Sequence, residues 1–109
     1  MKIDSTKFGT TADGRPVTRF TLTNSSGHSV SVMDWGATLL DVNVPDRDGS
    51  IANVNLCFDS LQPYVDGHPY FGATVGRFCN RIGEGKFSID GQEFQVTINH
   101  GKHHLHGGN

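Results

Sequence analysis

The stretch Lys86-Phe87-Ser88-Ile89-Asp90-Gly91-Gln92-Glu93-Phe94-Gln95-Val96-Thr97-Ile98 decides the fold class. Asp90-Gly91 is a strong type I′ turn pair, because both central residues of that turn need positive φ. With those two residues as the loop, Phe87 faces Phe94 and Ile89 faces Gln92. Phe87, Ile89, Phe94, Val96 and Ile98 then share one face, and Lys86, Ser88, Glu93, Gln95 and Thr97 the other. The period of two predicts a half-buried antiparallel ribbon with an aromatic cross-strand pair.

The same pattern recurs upstream. Val17-Thr18-Arg19-Phe20-Thr21-Leu22-Thr23 reads as a strand, Asn24 to His28 as a loop, and Ser29 to Trp35 as a second strand with Val30 and Val32 on one face. Leu39 to Val44 and Ile51 to Phe58 form another pair around Pro45-Asp46-Arg47-Asp48-Gly49-Ser50, a hexapeptide without an apolar residue and so a surface loop. One short helix is expected, with Ser60 capping Leu61 to Val65, Pro63 in the first turn and Gly67 as the stop.

Composition agrees with strands. Four Ala and two Glu (Glu84, Glu93) leave little material for helix interiors, and 14 Gly punctuate the chain into short pieces. The expected fold class is all-β, with an antiparallel β-sandwich or part of one as the architecture. At 109 residues and 35% hydrophobic content the chain can bury only a modest core. A formal net charge of −2 excludes the clustered Lys and Arg of a nucleic-acid footprint. No apolar run approaches the ~18–20 residues of a membrane span. Met1-Lys2-Ile3-Asp4 carries no apolar leader, so a cytoplasmic protein is expected. Cys57 and Cys79, each in apolar surroundings, read as two buried, reduced thiols. Asn24-Ser25-Ser26 fits a glycosylation triplet but reads as turn chemistry without a secretory signal.

Polar residues concentrate in two stretches, Gly76 to Gly85 and Asn99 to Asn109. His100, His103, His104 and His106 raise a metal reading, yet no Asp, Glu or Cys lies among them; we expect no metal and read them as solvated loop histidines, one or two serving a polar ligand. Gly83-x-Gly85-Lys86 lacks the spacing and following helix of a phosphate loop. Arg81 donates several hydrogen bonds, Asn80 donates and accepts, and His106 does either near neutral pH. That mixture suits a polyhydroxylated ligand, whose hydroxyls both give and take. A structural ion pair or carbonyl clamp is the equal alternative for Arg81.

Phe71 to Ile82, then Gly85-Lys86-Phe87-Ser88-Ile89-Asp90-Gly91, Asn99 and Leu105-His106-Gly107-Gly108, resemble the aldose 1-epimerases (galactose mutarotases). The likeness rests on the order and spacing of the Gly-Arg-x-x-Asn-Arg-Ile and Leu-His-Gly-Gly blocks. It extends to Trp35-Gly36-Ala37-Thr38 and Leu56-Cys57-Phe58-Asp59-Ser60-Leu61. The resemblance implies a large antiparallel supersandwich that needs a longer chain, so residues 1–109 are expected to be the N-terminal part of a single sandwich domain, incomplete here. It implies interconversion of α and β anomers of aldohexoses by acid–base ring opening and reclosure, with no cofactor. It further implies that Asn80 and Arg81 contact the sugar and that His106 binds it and supports proton transfer. The family's main acid histidine and base glutamate match no residue of this chain; Glu84 and Glu93 take neither role, and His28, His68, His100, His103 and His104 match no site residue. The alternatives are a non-catalytic carbohydrate-binding relative and an inactive truncated product. A cut sandwich exposes strand edges and inner faces, so self-association of the isolated chain is expected.

Overall fold

A computed structural model describes residues 1–67 and 69–109; His68 lies outside the described residues. The chain divides into two compact units, Met1–Thr74 and Val75–Asn109. Among the described residues, apart from one short helix and a single 3-10 turn, the regular structure is antiparallel strand.

Unit 1 is a five-stranded meander: β1 (Lys2–Thr10), β2 (Pro16–Thr23), β3 (Ser29–Met33), β4 (Thr38–Pro45) and β5 (Ile51–Asn53), in spatial order 1-2-3-4-5. The expected β2–β3 hairpin forms around Asn24–His28, with Thr23 opposite Ser29. Asn24 Oδ1 accepts the N–H groups of Ser26 and His28, so this triplet does serve the turn. The β4–β5 pair closes with Pro45 opposite Ile51 over an exposed Asp46–Ser50 loop, whose Asp46 Oδ1 accepts from the Asp48 and Ser50 N–H groups. β5 stops at Asn53 rather than running to Phe58. Asn53 and Asn55 divert the chain, since Asn53 Oδ1 accepts the Val42 and Asn55 N–H groups while Asn55 Nδ2 donates to the Leu39 and Leu40 carbonyls. β1 has no counterpart among the sequence expectations. Residues 2–7 are exposed and mix Lys, Asp, Ser and Thr, so pairing with β2 and not an apolar pattern defines this edge strand.

The core of unit 1 is Val17, Met33, Leu40, Leu61 and Tyr64, with Phe8, Trp35 and Phe58 packed against it. The short helix α1 (Gln62–Asp66) supplies Tyr64, whose ring meets Phe58 edge-on at 5.3 Å between centroids. Pro63 sits in its first turn and Gly67 ends it at φ 103°, as expected. Ser60 does not cap it: the N-cap is Leu61 and no side chain bonds the free N–H groups there. Burial pushes the Tyr64 phenol above its usual range, although its oxygen accepts the Phe58 N–H at 2.9 Å. On the same sheet, Arg19 pairs with Asp41 and reaches Ser31 Oγ, which also bonds Thr21 Oγ1, so the buried Ser31 hydroxyl is fully engaged.

Unit 2 contains β6 (Arg81–Ile82), β7 (Lys86–Ile89), β8 (Gln92–Gln95) and β9 (His104–Leu105). β7 and β8 form the expected hairpin in the expected register, Phe87 opposite Phe94 and Ile89 opposite Gln92. The two Phe rings stack at 5.4 Å. The ribbon does not have one buried face, however: every residue of β7 and β8 is exposed, Ile89 at 56%. β8 also ends at Gln95 and not Ile98, because the Val96 N–H turns to the Gly85 carbonyl and Gln95 Nε2 bonds the Glu84, Gly85 and Val96 carbonyls. Cys57 and Cys79 are both free, but Cys57 is only half-buried and Cys79 is exposed, which corrects the expectation of two buried thiols: the irregular segment before β6 leaves Cys79 at the surface.

Candidate functional site

The three residues singled out from sequence converge within unit 2. β6 pairs antiparallel with β9, Arg81 opposite Leu105 and Ile82 opposite His104, which draws the two polar stretches together. At the end of this pair Asn80 and His106 bond reciprocally. The His106 N–H donates to the Asn80 carbonyl at 3.0 Å, and the Asn80 N–H donates to His106 Nδ1 at 3.1 Å. Both residues hold positive φ, 63° for Asn80 and 52° for His106, which turns each chain sharply out of its strand. Arg81 Nη1 donates to Asn80 Oδ1 at 3.1 Å. All three side chains are exposed.

These bonds assign roles. Nδ1 of His106 accepts a backbone N–H, so the neutral ring carries its proton on Nε2 and offers a donor there. Asn80 Oδ1 holds Arg81 and thereby orients the guanidinium. Arg81 makes no ion pair among the described residues.

Glycine explains how the stretches approach so closely. A Cβ on Gly107 would lie 2.0 Å from the Gly76 carbonyl oxygen, and its φ is 91°. Only glycine tolerates both the contact and the dihedral. Asn99 staples the other side: its Oδ1 accepts the Leu105 N–H at 2.7 Å and its Nδ2 donates to the Leu105 carbonyl at 2.9 Å.

The histidine-rich stretch is a tight turn, not a solvated loop of equivalent rings. His100 and His103 exchange backbone hydrogen bonds. His103 Nδ1 accepts the Glu84 N–H at 3.1 Å. His104 is 5% exposed and bonds the Thr97 carbonyl through Nδ1 at 2.7 Å, which corrects the reading of it as a solvent-facing histidine. Among the described residues, no three of His, Cys, Asp and Glu are grouped to hold a metal. His28 belongs to the β2–β3 turn of unit 1, and Glu84 and Glu93 are exposed in unit 2.

A cavity of about 790 Å³ opens in unit 2 beside Arg81. Phe78, Ile82, Phe87 and Val96 give it apolar walls, while Arg77, Arg81, Thr97 and His104 bring polar groups to it. Arg77 carries no role in the sequence reading, and His104 enters it only as one of four clustered histidines. The spacing Arg77-x-x-x-Arg81 was the available signal for the first; nothing local distinguished His104 from its neighbours. No helix among the described residues is long and apolar enough to cross a membrane.

The family model for aldose 1-epimerase matches residues 18–109. The chain is similar to a galactose mutarotase of Rattus norvegicus, at 39% identity over 99% of the chain and 32% of the relative. It is similar to an aldose 1-epimerase of Escherichia coli K12, at 40% identity over 88% of the chain and 28% of the relative. Among solved structures, a galactose 1-epimerase from Lactobacillus acidophilus superposes with a TM-score of 0.76 at 30% identity, covering 99% of this chain and 31% of that one. The chain thus spans about a third or less of the length of these relatives.

Proposed function

The chain belongs to the aldose 1-epimerase family, and on that premise we propose that it supplies the sugar-gripping part of an enzyme that interconverts α and β anomers of aldohexoses such as galactose and glucose. The all-β fold, shared with structures of galactose epimerases, agrees with that assignment. The observation that carries the proposal is the reciprocal Asn80–His106 bonding with Arg81 tied to Asn80.

Anomer exchange requires removal of the anomeric hydroxyl proton and protonation of the ring oxygen. The C–O bond breaks, the aldehyde end rotates, and the ring closes on the other face. In this reading Arg81 holds hydroxyl oxygens with the guanidinium N–H groups not engaged by Asn80. His106 donates from Nε2 to the sugar and steadies the charge that moves during proton transfer. The principal acid histidine and base glutamate of the family have no counterpart in these 109 residues. The chain is therefore assigned binding and orientation, and the complete reaction is assigned to a protein that also supplies those two groups. Unpaired Cys57 and Cys79 fit a reducing compartment, and we place the protein in the cytoplasm.

Two measurements test the reading. D-Galactose titrated into the 109-residue chain is expected to shift the Arg81 and His106 resonances, and Arg81→Ala is expected to weaken binding at least tenfold, about what loss of a charged hydrogen-bond donor costs. Polarimetry on freshly dissolved α-D-glucose is expected to show no acceleration by the chain alone. Acceleration that disappears in His106→Ala would place the full proton chemistry within these residues and refute the assignment of binding only.

A further inference from the structure

We infer that His104 is a further sugar-contact residue, accepting a hydrogen bond from a ligand hydroxyl at Nε2 on the wall of the unit 2 cavity. The inference rests on the sugar-binding reading above and adds to it a residue that reading does not use.

The argument begins with the tautomer. His104 Nδ1 lies 2.7 Å from the Thr97 carbonyl oxygen. A carbonyl only accepts, so Nδ1 carries the proton and Nε2 of the neutral ring is a bare acceptor. This is the opposite tautomer from His106, whose Nδ1 accepts the Asn80 N–H. Two histidines separated by Leu105 thus present opposite faces of the same chemistry, a donor at His106 and an acceptor at His104.

Burial makes the acceptor consequential. His104 is 95% buried, and no hydrogen bond among the described residues engages its Nε2. No buried side-chain nitrogen or oxygen there lacks a partner, so Nε2 is not sealed in the interior and opens to free space. The free space that His104 lines is the cavity it shares with Arg77 and Arg81. An acceptor held by packing and a 2.7 Å bond is positioned before any ligand arrives, which reduces the entropy lost on binding.

A donor–acceptor count points to the same ligand class. On the cavity wall Arg77 and Arg81 can only donate. Each sugar hydroxyl has one proton to give as well as lone pairs to fill. A site made of guanidiniums alone would leave that proton unsatisfied. Of the polar side chains on the cavity wall, only the Thr97 hydroxyl and His104 Nε2 can receive it. Phe78 and Phe87 on the same wall offer flat apolar surface to the C–H face of a pyranose. The predicted ligand is an aldohexose ring with one hydroxyl directed at His104.

The test exploits the two nitrogens separately. His104→Asn keeps a donor near the Thr97 carbonyl and removes the cavity acceptor. His104→Gln places an amide oxygen near the Nε2 position and loses the Thr97 bond. D-Galactose binding to the 109-residue chain is measured by NMR titration, with imidazole 15N shifts followed in the wild type. The expected result is movement of the His104 Nε2 resonance with saturation, a Kd about tenfold weaker in His104→Asn, and one within about threefold of wild type in His104→Gln. A purely structural histidine predicts the reverse ranking. If Arg81 and His106 respond while His104 Nε2 stays fixed, the inference is wrong and the sugar-binding reading stands. If none of the three responds, both fall. Should either variant unfold, the wild-type 15N titration alone decides.

Discussion

Unit 1 buries Val17, Met33, Leu40, Leu61 and Tyr64 around one face of a five-stranded sheet. Unit 2 buries no large apolar side chain among the described residues; the side chain it hides is His104. Its segments are joined instead by bonds from the Gln95, Asn99, His103, His104 and His106 side chains to backbone groups, and by the close approach at Gly107. The difference is one of physical principle. Burial of apolar area is non-directional and stabilises whatever packs well. Hydrogen bonds and glycine contacts are directional and fix where each backbone atom stands. A binding site needs the second kind of order, and the candidate residues lie in the unit that has it.

Three substitutions break or sharpen that comparison. The largest effect belongs to the core of unit 1. Leu40→Ala removes a side chain that is 1% exposed and is expected to cost about 2–5 kcal/mol, read as a fall in denaturant midpoint. A loss below about 1 kcal/mol would mean that unit 1 does not depend on its apolar cluster.

Next comes Gly107→Ala. The new Cβ would meet the Gly76 carbonyl at 2.0 Å in a positive-φ conformation, so the backbone must part, at an expected cost of about 2–4 kcal/mol. Amide exchange at Asn80 and His106 should speed up, because their reciprocal bonds depend on that approach. Unchanged protection at both amides would remove glycine geometry from the account of the site.

The smallest effect is at Tyr64. Tyr64→Phe leaves the Phe58 N–H without its 2.9 Å acceptor and is expected to cost about 1 kcal/mol. The phenol is raised above its ordinary 10.0 by burial, so the unfolded chain ionises it first. Its contribution is complete below pH 10 and is lost as pH rises through the folded value. Wild type should therefore lose stability in that alkaline range more steeply than Tyr64→Phe. Parallel pH curves would show that burial of the phenol does not matter to unit 1.

Several elements were legible because their signals are local. The Asp90-Gly91 turn set the β7–β8 register, and the Asn24 loop set β2–β3, since turn dihedrals are chosen by neighbouring residues. Asn80, Arg81 and His106 were legible as chemistry, by residue type and by the family resemblance. Other features were not. β1 carries no apolar alternation, and Gln95 was assigned to a solvent face but binds three carbonyls. Ser60 was placed as a cap that α1 does not use.

By itself the sequence determined an all-β chain, the register of its β7–β8 hairpin and the residue types able to grip a sugar, because period, turn propensity and donor inventory are carried by short stretches. Only the tertiary structure decided that His106 and His104 are held in opposite tautomers, and that His104, alone of the four clustered histidines, is buried. A tautomer is set by whichever backbone N–H or C=O stands opposite the ring. Those partners, Asn80 and Thr97, are 26 and 7 residues away in the chain and become neighbours only when it folds.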